Sequence, residues 1–425
     1  MDIEFIIAIT VFFLVYALFI WDRFNRAVVS LLGGGSLIVL GVIVQDEAVK
    51  GIDFNTIGLL VGMMVIVSVC QRTGMFQYMA ISAVKLVKGD PWRMLVALST
   101  VTASTSAFLD NVTTVLLIAP ITLLIIDELK LPAYPYLATQ ILASNIGGTA
   151  TYIGDPPNIM IGSAVGFTFM DFVMNTAPLM VIIMAAIFVV MWLIYGRSLK
   201  VEPSLKARIM QFKEAEAITD RTLLVKCLVV LSLVICGFVF QEQIGLRVAT
   251  IALFGSAVLL LISGVDFHHV AEKVEWTTIF FFVGLYVIVH ALEKVNFISA
   301  LASNMLSLTG GHMETTVFTV LWLSAIASAF IDNIPFVATM IPMIKGMAPS
   351  MGGMEAIEPL WWALSIGACL GGNGTIIGAS ANVIVAGFAA RSGHPIGFFK
   401  FMRLAFPLML MSIAISTVYI YLRYL

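Results

Sequence analysis

The chain has 425 residues, 60% of them hydrophobic and 11% charged, with a formal net charge of −2 and a mean hydropathy of +1.03. An ordinary soluble domain carries roughly 25% charged residues, and a soluble fold of this length could not keep so much apolar surface from water. With no basic stripe to neutralise phosphates, a nucleic-acid partner is excluded as well.

Apolar runs of the roughly 17–25 residues needed to cross a bilayer recur from end to end. The first, near 3–20, follows a start without a basic n-region and precedes Arg23 and Arg26, which argues against a signal peptide. Further plain spans are predicted near 27–45 and 56–70. The segment near 93–126 is apolar but broken, and predicts a re-entrant hairpin. The segment near 134–163 predicts an interrupted span, and 173–196 closes a first repeat over residues 1–196. The mixed-charge stretch Arg197–Thr222 reads as a linker. A second repeat over 223–425 then brings spans near 223–240, 247–263 and 276–292, a broken hairpin near 314–345, an interrupted span near 360–390 and a last span near 403–423.

The halves echo one another in order. Arg26-Ala-Val matches Arg247-Val-Ala, and Asp53-Phe-Asn-Thr-Ile matches Glu275-Trp-Thr-Thr-Ile. Ser106-Ala-Phe-Leu-Asp-Asn-Val matches Ser328-Ala-Phe-Ile-Asp-Asn-Ile, and Gly148-Thr-Ala-Thr-Tyr-Ile-Gly matches Gly372-Asn-Gly-Thr-Ile-Ile-Gly. Five crossings per half, an odd number, make the repeat inverted. The expected fold is therefore an all-α polytopic membrane protein of ten spans and two hairpins. With the termini outside and the linker in the cytoplasm, 18 of the 23 lysines and arginines fall inside. Only Lys50, Arg247, Lys294, Lys345 and Arg423 stay outside, a positive-inside pattern that fits a cell (inner) membrane.

The breaks carry the chemistry, because irregular backbone at membrane depth is tolerated only in a protein interior or at a wet cavity. Asp110-Asn111 and Asp332-Asn333 place a carboxylate and an amide at each hairpin tip. A carboxylate in a span costs about 2.5–3.5 kcal/mol on insertion scales and marks function. These can titrate, bind a cation or accept bonds from a hydroxylated ligand, or else cap the helix that follows. The glycine-rich breaks around Gly148 and Gly372 either bare backbone N–H groups for a ligand or allow close helix packing. Asp155, whose equivalent is Ala379, is either a proton-coupling group or a cap before Pro156. The expected substrate-binding set is Asp110, Asn111, Thr113, Asn145, Gly148, Thr149, Ala150, Thr151, Asp332, Asn333, Gly372, Asn373, Gly374 and Thr375. Asp110, Asp155 and Asp332 are the candidates for proton coupling. Cys70, Cys227, Cys236 and Cys369 have no metal-ligand spacing, the histidines read as structural, and neither a metal nor a cofactor is expected.

At these motifs the chain resembles the ion transporter superfamily, in its arsenite efflux and sodium/proton antiporter (ArsB/NhaD) branch. The Ser-Ala-Phe-Leu-Asp-Asn-Val-Thr-Thr and Gly-Gly-Thr-Ala-Thr-Tyr-Ile-Gly-Asp-Pro-Pro-Asn runs are similar to the P-protein form. The resemblance implies elevator-like or rocking exchange of a midplane site, and a transporter rather than an enzyme. Related dicarboxylate carriers have Ser-Asn-Thr at the tips. The aspartates here argue against a dicarboxylate and for protons, a cation or a neutral hydroxylated solute such as arsenous acid. Proton-coupled efflux of arsenite and antimonite is the leading expectation and sodium/proton antiport the alternative. A passive channel stays open too, whereas the partial Gly-x-Gly-Asp match at Asp155 makes a poor intramembrane protease. The linker is suited to dock a cytoplasmic ATPase of the kind that accompanies some members, or is only a solvated tether. Monomer and homodimer both remain open.

Overall fold

A computed structural model describes residues 3–21, 23–202, 204–206 and 213–425. Met1, Asp2, Asp22, Pro203 and 207–212 lie outside the described residues, so part of the expected linker, Arg208 included, is not covered. The described residues are helical throughout, with no strand among them.

Sixteen helices make the frame. The first eight are α1 (Ile3–Trp21), α2 (Arg26–Val39), α3 (Phe54–Gln71), α4 (Pro91–Ser106), α5 (Asn111–Glu128), α6 (Ala133–Thr149), α7 (Pro156–Val165) and α8 (Ala177–Tyr195). The second eight repeat them in order: α9 (Arg221–Val239), α10 (Val248–Ser263), α11 (Trp276–Lys294), α12 (Met313–Phe330), α13 (Asn333–Met347), α14 (Glu358–Gly371), α15 (Ser380–Arg391) and α16 (Phe398–Tyr424). Among the described residues eight helices are long and apolar enough to span by themselves. The expected ten crossings need four more segments to be counted. α2 and α10 have only 14 and 16 residues, and the interrupted spans are split into α6/α7 and α14/α15. Two of the eight, α5 and α12, are hairpin arms.

Local chemistry sets the starts. Asp90 accepts from the Arg93 amide at 2.9 Å ahead of Pro91 at the head of α4. Asp53 accepts from the Asn55 amide at 3.0 Å at the head of α3. Such caps satisfy amides that have no partner inside the helix.

Packing follows the repeat. α2 lies on α11 and α10 on α3; α4 lies on α6 and α12 on α14. Glycines bring the axes together at equivalent points. A Cβ on Gly284 would sit 2.3 Å from the Ser30 carbonyl carbon, and one on Gly62 2.7 Å from that of Ala252. Likewise a Cβ on Gly147 would meet the Ala103 oxygen at 2.1 Å, and one on Gly371 the Ala325 oxygen at 2.4 Å. Close backbone approach of this kind is how helices associate where lipid removes the hydrophobic drive.

The far end of the linker is packed, not a free tether. The Thr219 amide donates to the Thr73 carbonyl at 3.0 Å and its hydroxyl to the Arg72 carbonyl at 2.5 Å. Lys85 pairs with Glu214, a hydrogen bond that holds the Glu214 carboxylate below its ordinary range.

Gly284→Val and Gly62→Val are expected to overpack the two equivalent contacts, each costing about 1–3 kcal/mol or more. Gly35→Ala, whose Cβ meets nothing within 4 Å, is the matched control. Melting in detergent should fall for the first two and hold for the third; equal behaviour of all three would refute the packing role.

Candidate functional site

The two hairpin tips meet the two helix breaks in the middle of the structure. α6 ends at Thr149 and α7 restarts at Pro156; α14 ends at Gly371, two 3-10 turns follow, and α15 starts at Ser380. Both breaks are unwound, as expected, but their backbone is not bare. Asn158 donates to the carbonyls of Thr151 at 2.9 Å, Thr149 at 3.2 Å and Gly148 at 3.4 Å. Its equivalent Asn382 donates to Gly372 at 2.7 Å and Thr375 at 2.8 Å. The Thr151 and Thr375 hydroxyls donate to Ala107 and Ala329 at the hairpin ends, both at 2.5 Å.

These bonds engage several of the expected site residues within the protein itself. Thr149 donates to Asn145 within its own helix at 2.7 Å. Gly148 and Gly154 face one another so closely that a Cβ on either would meet the other's carbonyl oxygen at 2.6 Å. Gly372 and Gly378 repeat this arrangement. Gly374 packs near Ala329 and Met409. None of Thr149, Ala150, Thr151, Gly148, Gly372, Gly374 or Thr375 borders the central cavity, whereas the tip residues Asp110, Asn111 and Asn333 do.

That cavity has a volume of ≈ 500 Å³ and is bordered by Asp110, Asn111, Asp155, Glu275, Thr278, Asn333 and Ser380 among others, and among the described residues no Lys, Arg or His lines it. Behind it lies a buried amide network. Asn145 accepts from Asn111 at 3.2 Å and donates to Asn373 at 2.9 Å and Asn382 at 3.0 Å. The network joins both halves, since residues 111 and 145 belong to one and 373 and 382 to the other.

The three aspartates differ. Asp110 does cap its helix, accepting from the Thr113 amide at 2.7 Å and the Thr113 hydroxyl at 2.5 Å, while still bordering the cavity. Thr113 is thereby a partner of Asp110. Asp155 makes no capping bond. It is buried, and both of its oxygens lie 3.3 Å from the Asn333 amide nitrogen of the other half. The capping alternative for Asp155 therefore falls. Asp332 stands just outside the cavity lining. It caps the Ile334 amide at 3.1 Å, accepts from Ser380 at 3.1 Å and pairs with Arg26 at 2.6 Å.

Sequence reasoning missed Arg26 and Glu275 as site residues. Arg26 was counted as a cytoplasmic charge and Glu275 only as the echo of Asp53. Their presence in the repeat motifs was the available signal. Among the described residues no cluster of His, Cys, Asp and Glu is arranged to hold a metal.

Comparisons with known proteins show the family and the fold. An uncharacterized transporter of Mycobacterium tuberculosis is 44% identical over 99% of this chain and 98% of its own. The human P protein is 33% identical over 96% of this chain and 58% of its own length. The solved YdaH transporter of Alcanivorax borkumensis shares the fold, with a TM-score of 0.56 at 16% identity over 96% of this chain and 99% of that one. The family model described as citrate transporter matches residues 16–367. The protein is a secondary transporter and not an enzyme, and the chain belongs to the citrate transporter family.

Proposed function

We propose that this chain couples proton movement to export of a small solute that is neutral or cationic when bound, with arsenite and antimonite the leading cargo. The observation that carries the reading is the cavity itself. Asp110, Asp155 and Glu275 border it, and among the described residues no basic residue does. Carboxylates sharing a low-dielectric space cannot all stay ionised, so some are protonated in one state and release protons in another. An undissociated hydroxide of trivalent arsenic would find donors and acceptors in Asn111, Asn333 and Ser380. Free citrate would meet like charges with no facing cation, so the family's name does not carry its cargo to this chain by charge. Sodium/proton antiport is the second reading, because the same carboxylate and amide oxygens suit a hard cation. In this proposal the repeats at 1–196 and 223–425 face opposite ways, the termini lie outside and the linker lies in the cytoplasm.

Purified protein in proteoliposomes with an imposed proton gradient tests the cargo. Arsenite accumulation that collapses with the gradient is the expected result. Sodium-dependent proton flux without arsenite movement would leave only the second reading, and gradient-driven citrate flux alone would overturn both. Downhill flux that a gradient cannot drive would make the protein a channel.

Two substitutions separate coupling from architecture. Asp155→Asn should keep the fold and lower gradient-driven accumulation about 5- to 150-fold, the usual span of a coupling energy. Unchanged accumulation would remove Asp155 from the mechanism. Asn145→Ala should instead lower the melting temperature, since it removes three buried bonds worth roughly 0.6–1.7 kcal/mol each in membranes.

A further inference from the structure

The two halves do not stand in the same relation to the hairpin tips. Arg26, the first residue of α2, donates to Asp332 at the tip of the hairpin of the other half, 2.6 Å away. The repeat equates Arg26 with Arg247, Asp332 with Asp110, and Glu275 with Asp53. Were the halves in equivalent positions, Arg247 would hold Asp110. It does not. Arg247 is exposed and borders a second cavity of ≈ 290 Å³ with Asp53, His290, Glu293 and Lys345. The ion pairs formed among the described residues do not include it. Asp110 is satisfied inside its own hairpin by Thr113 and shares its cavity with Glu275. Asp53, the equivalent of Glu275, sits in the other cavity, away from Asp332.

Each relation therefore exists once as a contact and once as an unmade equivalent. A chain of two equivalent halves can exchange their roles, and the exchanged arrangement makes the missing set while breaking the present one. We propose that Arg247 captures Asp110 in the opposite-facing state while Arg26 releases Asp332, so that the two arginines hold the hairpin-tip carboxylates in alternation. The inference rests on the transporter reading above. It assigns Arg26 and Arg247 as positioning residues that fix which way the site faces.

The exchange trades one arginine–carboxylate pair for its equivalent. One pair opens as the other closes. The free tip keeps its helix cap in both states: Asp110 has the Thr113 amide now, and Asp332 retains the Ile334 amide when Arg26 leaves. Turnover needs two states close in free energy, since a strong bias toward one taxes every cycle.

The test uses cysteine pairs one residue before each partner, which leaves all four charges in place. Leu246→Cys with Leu109→Cys reports the proposed contact, and Asn25→Cys with Ile331→Cys reports the present one, with exposed Cys236 replaced by serine. A short bifunctional thiol reagent is applied in proteoliposomes with the gradient imposed in either direction. Both pairs should cross-link, in proportions that move reciprocally as the gradient reverses. Arg247→Gln should lower the Leu246/Leu109 link and raise the other by about fivefold or more, and Arg26→Gln should do the opposite. Transport accompanied by only the Asn25/Ile331 link would overturn the alternation and leave the function standing. Both links without flux of arsenite, sodium or citrate would overturn the function and leave the alternation standing. Neither reciprocal shift nor flux would overturn both.

Discussion

Everything in this structure depends on how two stretches of unwound backbone are satisfied where no water is at hand. Each unpaired carbonyl in an apolar interior costs free energy on the scale of a lost hydrogen bond or more. The chain meets the demand with asparagines one turn past each break. Asn158 reaches three carbonyls of the first break and Asn382 two of the second. Serines and threonines then tie hairpin to break: Ser106 to the Ser144 carbonyl at 2.7 Å, Ser328 to that of Ala368 at 2.6 Å, Thr151 and Thr375 to the hairpin ends. A hairpin and its adjoining break are consequently tied to each other at several points.

That duplicated scaffold frames chemistry that is single. The staples come in pairs, but Asn145 has Cys369 as its equivalent and Asp155 has Ala379. The asparagine at 145 can donate to Asn373 and Asn382 and accept from Asn111, while the thiol at 369 makes a long contact to Asn158 at 3.5 Å and lies beside Asp155. The buried carboxylate at 155 faces Asn333 of the opposite half. One central cavity with one unpaired break carboxylate follows from these two departures from the repeat. Duplication alone would have built two like sites.

The fold was legible in the sequence because interruptions of an apolar run stand out: Asp-Asn, Gly-Gly and Pro-Pro inside spans have few structural explanations. The tip residues were legible for the same reason. The roles of Thr149, Thr151 and Thr375 were not. A hydroxyl in an unwound segment can turn to a ligand or to a neighbouring carbonyl, and the choice depends on how close the hairpin lies, which is set by Gly147 and Gly371 packing on Ala103 and Ala325. The contact that Arg26 makes was not legible either. The positive-inside pattern explains a basic residue at a helix end without asking what it touches, and its partner is 306 residues away. Contacts between halves depend on the relative placement of two rigid bodies, which no local pattern encodes.

Arg26 also changes the charge argument made from sequence. Treating Asp110 and Asp332 as equal carboxylates at one site gives a symmetric dyad. With Arg26 bound, Asp332 is held as an ion pair, with the Ile334 amide and the Ser380 hydroxyl as its other partners. In the proposed function the groups left to exchange protons with the cavity are Asp110, Asp155 and Glu275, and only Asp155 among them lacks a capping or intrahelical hydroxyl bond. Its oxygens have the Asn333 amide at 3.3 Å, a long and weak interaction that can be given up to a proton or a cargo atom. A carboxylate held firmly by its own helix is a poor carrier, because each protonation must first break the cap. The residue that departs from the repeat is therefore better suited to couple protons to cargo than either of the aspartates that the repeat conserves between the halves.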